Sequence, residues 1–337
     1  MDDLPDADGA ALLNAAEDAR LAPSILNTQP WRWQVHGADL DLYAEPDRQL
    51  VSLDPDGRML ILSCGAALHH ARVSLAAAGY EPVVHRVDQA GDDRWIARVS
   101  IGGTHPVHAD DTTAWRSIRR RHTDRRPFQA TVPVPATTVA ALHAAADAEH
   151  AWLHRVDADQ VTYLRAAAVG AQTIERKDVH AEQELQEWTG RAPASGDGVS
   201  PRTVVAPAAR PVPLRGFGLG GAVMLEPGPG DDRLAEYLIV VTAGDEPVDW
   251  LRAGEATSAV WLTATTLGLA VSPMSEVVEV PGARVLLRSL LHRPGNPQLV
   301  LRAGVETGTT APAASQRRPA REVVSDEPPA RHPDGHR

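Results

Sequence analysis

The sequence predicts an α+β protein on three observations. Residues 31–36 and 40–44 alternate apolar and polar positions on either side of a His36-Gly37-Ala38-Asp39 turn, which predicts a hairpin. Residues 59–78 and 248–267 are long helical stretches that stop at Gly79 and Gly268. Tyr237-Leu238-Ile239-Val240-Val241, within 234–242, is the strongest strand pattern in the chain. At 337 residues the chain exceeds the size at which one core usually stops growing, so two lobes or one large duplicated domain is expected.

Composition narrows the function classes. The formal charge of −11 and a pI near 5.7 argue against nucleic acid or an anionic membrane as the main partner. Cys64 is the single cysteine, which excludes a disulfide framework and a Cys-based metal or redox pair. The acidic start, MDDLPDADGA, has no apolar leader pattern, and no run approaches the ~18 apolar residues of a membrane span. A soluble, cytoplasmic protein is the expectation.

Taken in order, residues 11–21 predict a first helix, with Leu12, Leu13, Ala16 and Ala19 near one face. The next ten residues, 22–31, cannot extend it, because Pro23 and Pro30 bracket Ser24, Asn27, Thr28 and Gln29. Such a segment reads either as a capped turn or as a polar loop that holds a flat heterocycle by its edge. Beyond the hairpin and the helix 59–78, strands are expected at 82–87 and 95–101. Adjacent His69 and His70 point about 100° apart on a helix and predict a surface or packing role, not a shared metal. His105 and His108, with Asp110 and Asp111, lack a further patterned ligand, and no metal site is assigned.

A helix at 112–121 runs into Arg119, Arg120, Arg121, His122, Thr123, Asp124, Arg125 and Arg126. A solvated face is the plain reading of so many arginines. Guanidinium groups interleaved with a hydroxyl can also grip a phosphate through charge-assisted bonds, each worth about 1.5–3 kcal/mol. Further on, helices are expected at 135–146 and 157–188, with a strand at 151–156. Residues 189–225 are rich in Pro, Gly and Arg without a period, and so long a stretch is usually functional or mobile. Gly216, Gly218 and Gly221 match a dinucleotide fingerprint, but no buried strand precedes them and Pro227 and Pro229 follow, so a nucleotide-binding βαβ unit is not expected. A short strand then leads to Ser272, Pro273, Met274, Ser275 and Glu276, followed by a helix at 282–291 and a strand at 297–304. Arg317, Arg318 and Arg321 close the patterned region, and 326–337 is expected to be disordered. No Gly-x-Ser-x-Gly hydrolase motif occurs.

Residues 22–31, APSILNTQPW, resemble the signature loop of the nitroreductase-like flavoproteins, with Pro23, Ser24, Asn27, Gln29, Pro30 and Trp31 as the matching positions. The resemblance extends over roughly residues 11–325 and is strongest to the Acg-type branch. It implies FMN as cofactor, NAD(P)H as electron donor and a small-molecule electron acceptor. By position, Pro23, Ser24, Asn27 and Gln29 would reach the flavin. Arg121 and Thr123 would meet the FMN phosphate or ribityl, and Arg125 the pyrimidine edge. Ser272, Pro273 and Met274 would pass over the flavin near N5, and Arg317 and Arg318 would bind the phosphate. The acidic residue usual in that late loop is displaced or missing. No catalytic side chain and no metal ligand is assigned.

The first half carries the cross-subunit loop, and the second carries the arginine motif and the flavin-covering loop. The expectation is a nitroreductase-like fold of two fused pseudo-twofold lobes, with a mixed sheet flanked by helices and one functional site. The lobes are 1–115 and 116–325, the second including a lid at 189–225, and the chain is a monomer with an internal pseudo-dimer. The expected function is FMN-dependent oxidoreduction through flavin N5. The alternative is a lidded FMN-binding or storage protein, and a third option is a stress-induced protein without flavin.

Overall fold

The computed structural model describes residues 7–87, 94–217, 225–308 and 312–325. In chain order the first part holds α1 (Ala7–Ala19), β1 (Trp31–His36), β2 (Asp39–Ala44), α2 (Arg58–Ala77), β3 (Tyr80–Arg86), β4 (Trp95–Thr104) and α3 (Ala109–Arg120). Then follow α4 (Ala136–Asp147), β5 (Trp152–Arg155), α5 (Val161–Glu175), α6 (Val179–Thr189), β6 (Glu236–Thr242), α7 (Pro247–Thr266) and β7 (Ala270–Met274). The chain closes with α8 (Glu276–Glu279), α9 (Pro281–Leu290), β8 (Asn296–Gly304), α10 (Ala320–Val323) and β9 (Val324–Ser325). The class is α+β.

One sheet has the order β3-β4-β2-β1-β9 and is mixed, since β9 runs parallel to β1 while the other pairs are antiparallel. The other, β5-β6-β8-β7, is antiparallel throughout. All seven residues of β6 are buried, which is why its sequence reads as a continuous apolar run and not as an alternation. Trp31 and Trp33 are wholly buried under α1 and α2, while α4, α5, α7 and α9 enclose the core of the second sheet.

Helices α2 and α7 join the two halves, and their glycines permit the approach. A Cβ on Gly65 would overlap the carbonyl oxygen of Leu251, and one on Gly254 would overlap that of Leu62. The two contacts are reciprocal. His69 Nδ1 meets Ser258 Oγ at 2.9 Å, a separation of 189 positions that also relates Gly65 to Gly254 and Leu62 to Leu251. Helix α2 is long and apolar enough to cross a membrane, yet most of its apolar window is buried in this packing.

Several expectations need correction. The helix expected at 157–188 is two, because the Asp178 side chain accepts from the backbone N–H groups of His180 and Ala181 and starts α6 afresh. Strand β7 runs through Met274, so Ser272 to Met274 lie in the strand and not after it. Residues 320–325, assigned to the second lobe, pack on the first sheet as α10 and β9, with Val324 opposite Trp33. His69 and His70 are buried, as their packing role requires, and burial pushes the His69 imidazole down to about 3, so it is neutral. His108 N-caps α3 in a box with Asp111, which also meets His105 Nε2 at 2.9 Å. Gly218, Leu219, Gly220 and Gly221 of the glycine string and the tail 326–337 lie outside the described residues.

Candidate functional site

Residues 22–31 leave α1 and cannot re-enter helix, and the structure bends them hard. Leu26, Asn27 and Gln29 all have positive φ, at 42°, 57° and 49°. Such non-glycine residues each cost on the order of 1–3 kcal/mol and persist only where their surroundings fix them. Here three segments do so. Ser63 Oγ on α2 accepts from Ile25 N at 3.1 Å, and within the loop Ser24 Oγ accepts from Gln29 N at 2.9 Å. The Asn27 amide donates to the carbonyls of Gly198 and Gln316, both at 3.1 Å. The Gln29 amide donates to Gly196 O at 2.8 Å, and its oxygen accepts from Arg318 N at 2.9 Å. The loop thus ties the segment after α6 and the C-terminal segment to α2.

Between these pieces lies a cavity enclosing about 1060 Å³ of free space, its open mouth included. Met59, Leu62 and Ala66 of α2, Trp261 of α7, and Val199 and Phe217 from the segment after α6 supply apolar wall. The polar side chains on the wall include Ser24, Asn27, Arg121, Thr123, Arg125, Thr257, Ser272, Glu276, Ser315 and Arg317.

The charges on this wall are unbalanced. Arg121 lies over the Trp261 ring at 4.8 Å, Arg125 over the Phe217 ring at 4.9 Å, and Arg317 Nη1 donates to Asn27 Oδ1 at 3.1 Å. Arg317 also donates to the carbonyls of Leu21 and Ala22. Among the described residues none of the three forms an ion pair with a carboxylate. Burial, with the neighbouring Arg317 charge, pushes Arg121 down to about 9. Burial and Arg20 push Arg317 down to about 10, and Arg125 falls to about 10, chiefly through burial. Four buried polar atoms of residues that line the cavity have no hydrogen-bond partner: Arg121 Nε, Arg317 Nε, Thr257 Oγ1 and Glu276 Oε1. Buried cations stay charged only at a cost unless an anion meets them, so the arrangement suits a ligand with an anionic end and a flat apolar body.

Of the residues singled out in the sequence, Pro23, Ser24, Asn27, Arg121, Thr123, Arg125, Ser272, Pro273 and Arg317 line the cavity. Gln29, Met274 and Arg318 do not. Gln29 spends its amide inside the scaffold, as described above. Met274 is fully buried in the core of the second sheet. Arg318 directs its side chain elsewhere, to Glu45 at 2.5 Å and Gln29 O at 3.1 Å. Arg321 is exposed.

No family model matches the chain. Relatives in Mycobacterium tuberculosis do. "Putative NAD(P)H nitroreductase Rv3131" is 39% identical over 288 residues, which span 84% of this chain and 81% of that protein. "Putative NAD(P)H nitroreductase acg" is 32% identical over 313 residues, 92% of this chain and 94% of the relative. The chain belongs to this nitroreductase family. A third member, "Uncharacterized protein Rv3127", is 31% identical over 325 residues, 93% and 92% of the two chains. Among solved structures, a nitroreductase with bound FMN from Bacteroides fragilis aligns at a TM-score of 0.36 and 14% identity, covering 59% of this chain and 91% of that one. NfrA2 of B. megaterium aligns at 0.32 and 12% identity over 59% and 68%.

In this family member the sequence left several cavity residues unread. Thr257 and Trp261 sit on an apolar helix and carry no sequence signal that separates them from core. Thr203, Arg215 and Phe217 come from the aperiodic stretch, which marked a region without marking residues. Glu276, one residue beyond Ser275, also stands on the cavity wall, 2% exposed, and burial pushes its carboxyl up to about 7. His122, Asp124 and Glu306 bring ligand atoms within 4.8 Å of one another, but the Asp124 carboxylate already takes Arg126 Nε, Nη2 and backbone N–H.

Proposed function

We propose that this nitroreductase family member is an FMN-dependent oxidoreductase that takes reducing equivalents from NAD(P)H and passes them to a small-molecule acceptor. The observation that carries this reading is the anion-poor end of the cavity, where half-buried Arg317 lies close enough to buried Arg121 to disfavour its charge and, among the described residues, neither pairs with a carboxylate. A phosphate with about two negative charges would balance them, with Thr123 and Ser315 as hydroxyl partners. The orphaned nitrogens of both arginines fit that role. The apolar wall from α2, α7 and Phe217 suits one flat ring system, with Asn27, Ser24 and Arg125 at its polar edges. FMN, when bound, would supply two-electron hydride chemistry, and the protein would bind, orient and exclude water. Segment 190–217, tied to the 22–31 loop through Gly196 and Gly198, acts in this reading as a lid.

We further read the chain as two pseudo-twofold lobes with one site. The 189-position offset between α2 and α7 makes Ala66 the counterpart of Glu255 and Trp261 the counterpart of Arg72. Ala66 and Trp261 line the cavity, whereas Glu255 pairs with Arg72 and Arg86 at 2.8 Å, and Arg72 with Glu149 at 2.6 Å. A buried ion network fills the equivalent space, so one FMN per chain is expected.

The visible spectrum of the purified protein, before and after anaerobic NADPH and then NADH, tests the function. A flavin band that bleaches is the expected result. A band that persists would favour a lidded binding or storage protein, and no band after FMN is supplied would overturn the reading.

A further inference from the structure

Alternate residues of the segment after α3 have different surroundings. Arg121, Thr123 and Arg125 line the cavity, whereas His122, Asp124 and Arg126 do not. Glu306, two residues beyond β8, comes up to this second set, and among the described residues only His122, Asp124 and Glu306 bring three potential metal-ligand atoms within 4.8 Å of one another. The backbone is held on both sides. Asp124 N donates to Val271 O at 3.1 Å, and Gln129 donates through its backbone N–H to Val305 O at 2.9 Å and through its side chain to Glu306 O at 2.7 Å. His122 Nδ1 meets Arg120 O at 3.1 Å, and since a carbonyl only accepts, Nδ1 carries the hydrogen and the neutral ring presents a lone pair at Nε2. That nitrogen lies 3.1 Å from Glu306 Oε1 and is buried without a hydrogen-bond partner. Two electron-rich atoms so placed suit a shared cation, since N and O ligands around tetrahedral zinc stand about 3.4 Å apart. A ring oriented through its other nitrogen by a carbonyl is also the usual support of a metal-binding histidine.

We propose that His122 Nε2, Glu306 and Asp124 form a site for a divalent transition metal of the zinc class, with water completing four-coordination, and that the metal fastens the 121–126 segment to the end of β8. The site lies off the cavity and does not depend on the FMN reading. Asp124 is already paired with Arg126, but Arg126 Nε is shared between the two carboxylate oxygens, at 2.9 and 3.2 Å, and the longer contact leaves Oδ2 an acceptor position for a metal. Asp124 and Glu306 bring two negative charges against the one positive charge of Arg126, so the group retains charge for an added cation. The side chains of His122 and Glu306 are 19% and 29% exposed, which gives a cation and its water a way in. An imidazole among the ligands selects zinc and its neighbours over magnesium and calcium, which take oxygen sets.

The test titrates zinc chloride into the full-length protein after dialysis against EDTA, with no flavin added, and follows heat and melting temperature. The expected result is one zinc per chain and a higher melting temperature, with neither reversed by excess magnesium chloride. Cobalt chloride in place of zinc should give the visible absorption bands of a four-coordinate cobalt(II) ion. Glu306→Gln keeps the size of the side chain and removes its charge, and it should weaken zinc binding by at least about tenfold, as should His122→Ala. Because Glu306→Gln alters no more than the carboxylate, it keeps the test decisive if His122→Ala folds poorly. Absence of zinc binding, which would leave His122 and Glu306 as a plain ion pair, would overturn the proposal. So would weak binding at several places that neither substitution changes, or a cobalt spectrum that Glu306→Gln leaves as it is.

Discussion

Arg121→Met should raise the melting temperature of the flavin-free protein and weaken FMN binding in the same variant. The two signs follow from one cause. Arg121 is buried, its guanidinium has no carboxylate partner, and its pKa falls from 12.5 to about 9 through burial and the nearby Arg317 charge. That shift sets an upper bound of about 5 kcal/mol on the penalty for keeping the charge in the empty cavity. The stacking of Arg121 on Trp261 offsets part of it, by about 0.5–2 kcal/mol. A few kcal/mol of apoprotein stability should therefore be gained. The penalty is constant below pH 9, where the folded and unfolded states are both protonated, so the gain should be the same at pH 6 and pH 8. With FMN present the balance reverses. Loss of one charge-assisted phosphate bond, worth about 1.5–3 kcal/mol, should weaken binding by about 10- to 150-fold. Arg119→Met is the control, since Arg119 is half-exposed and pairs with Asp18 at 2.8 Å, and it should change FMN affinity little. Thermal melts with and without FMN check both signs. A variant that loses stability in the apo form would contradict the charge-deficit argument.

Arg215→Met should give the largest loss of stability. Arg215 is buried between Glu175, at 2.5 Å, and Glu279, and these carboxylates hold it well above the usual arginine range. Removing one partner of a buried ion cluster typically costs about 3–5 kcal/mol, because the opposite charges are left uncompensated. In the variant Glu175, Glu279 and Glu276 would face one another without a cation. Each would have a folded-state pKa raised above its unfolded value, so the folded state would bind more protons and its stability would rise as pH falls through the raised values. Denaturant midpoints should show a deficit at pH 7 that narrows at pH 5. Because Arg215 fastens the segment after α6 to α5 and α8, limited proteolysis within 190–217 should also accelerate. Wild-type midpoints at both pH values would remove Arg215 from this role.

The fold was legible wherever one face of an element repeats. The hairpin follows from period, α2 and α7 from long helical stretches stopped by glycines, and β6 from its unbroken apolar run. The break at Asp178 was not legible, because a capping aspartate inside a charged helical pattern resembles any other surface acid. Nor was the return of residues 320–325 to the first sheet, since β9 is two residues long and carries no pattern of its own. At the site, the arginines and hydroxyls of 121–125 and the 22–31 loop were readable because unusual residue types cluster there. The direction of each side chain was less so. Arg317 and Arg318 are indistinguishable as letters, yet one lines the cavity and the other pairs with Glu45. Trp261 and Thr257 acquire their role through the α2–α7 crossing, a long-range contact that local sequence does not encode.

The most direct test of the account is a titration of flavin-free protein with FMN and, in parallel, riboflavin. Under the proposed reading Arg121 and Arg317 would meet the phosphate of the flavin and not its ring, so the account predicts one FMN bound per chain and riboflavin binding weaker by at least about tenfold. Equal affinity for the two flavins, two FMN per chain, or no binding of either would contradict it.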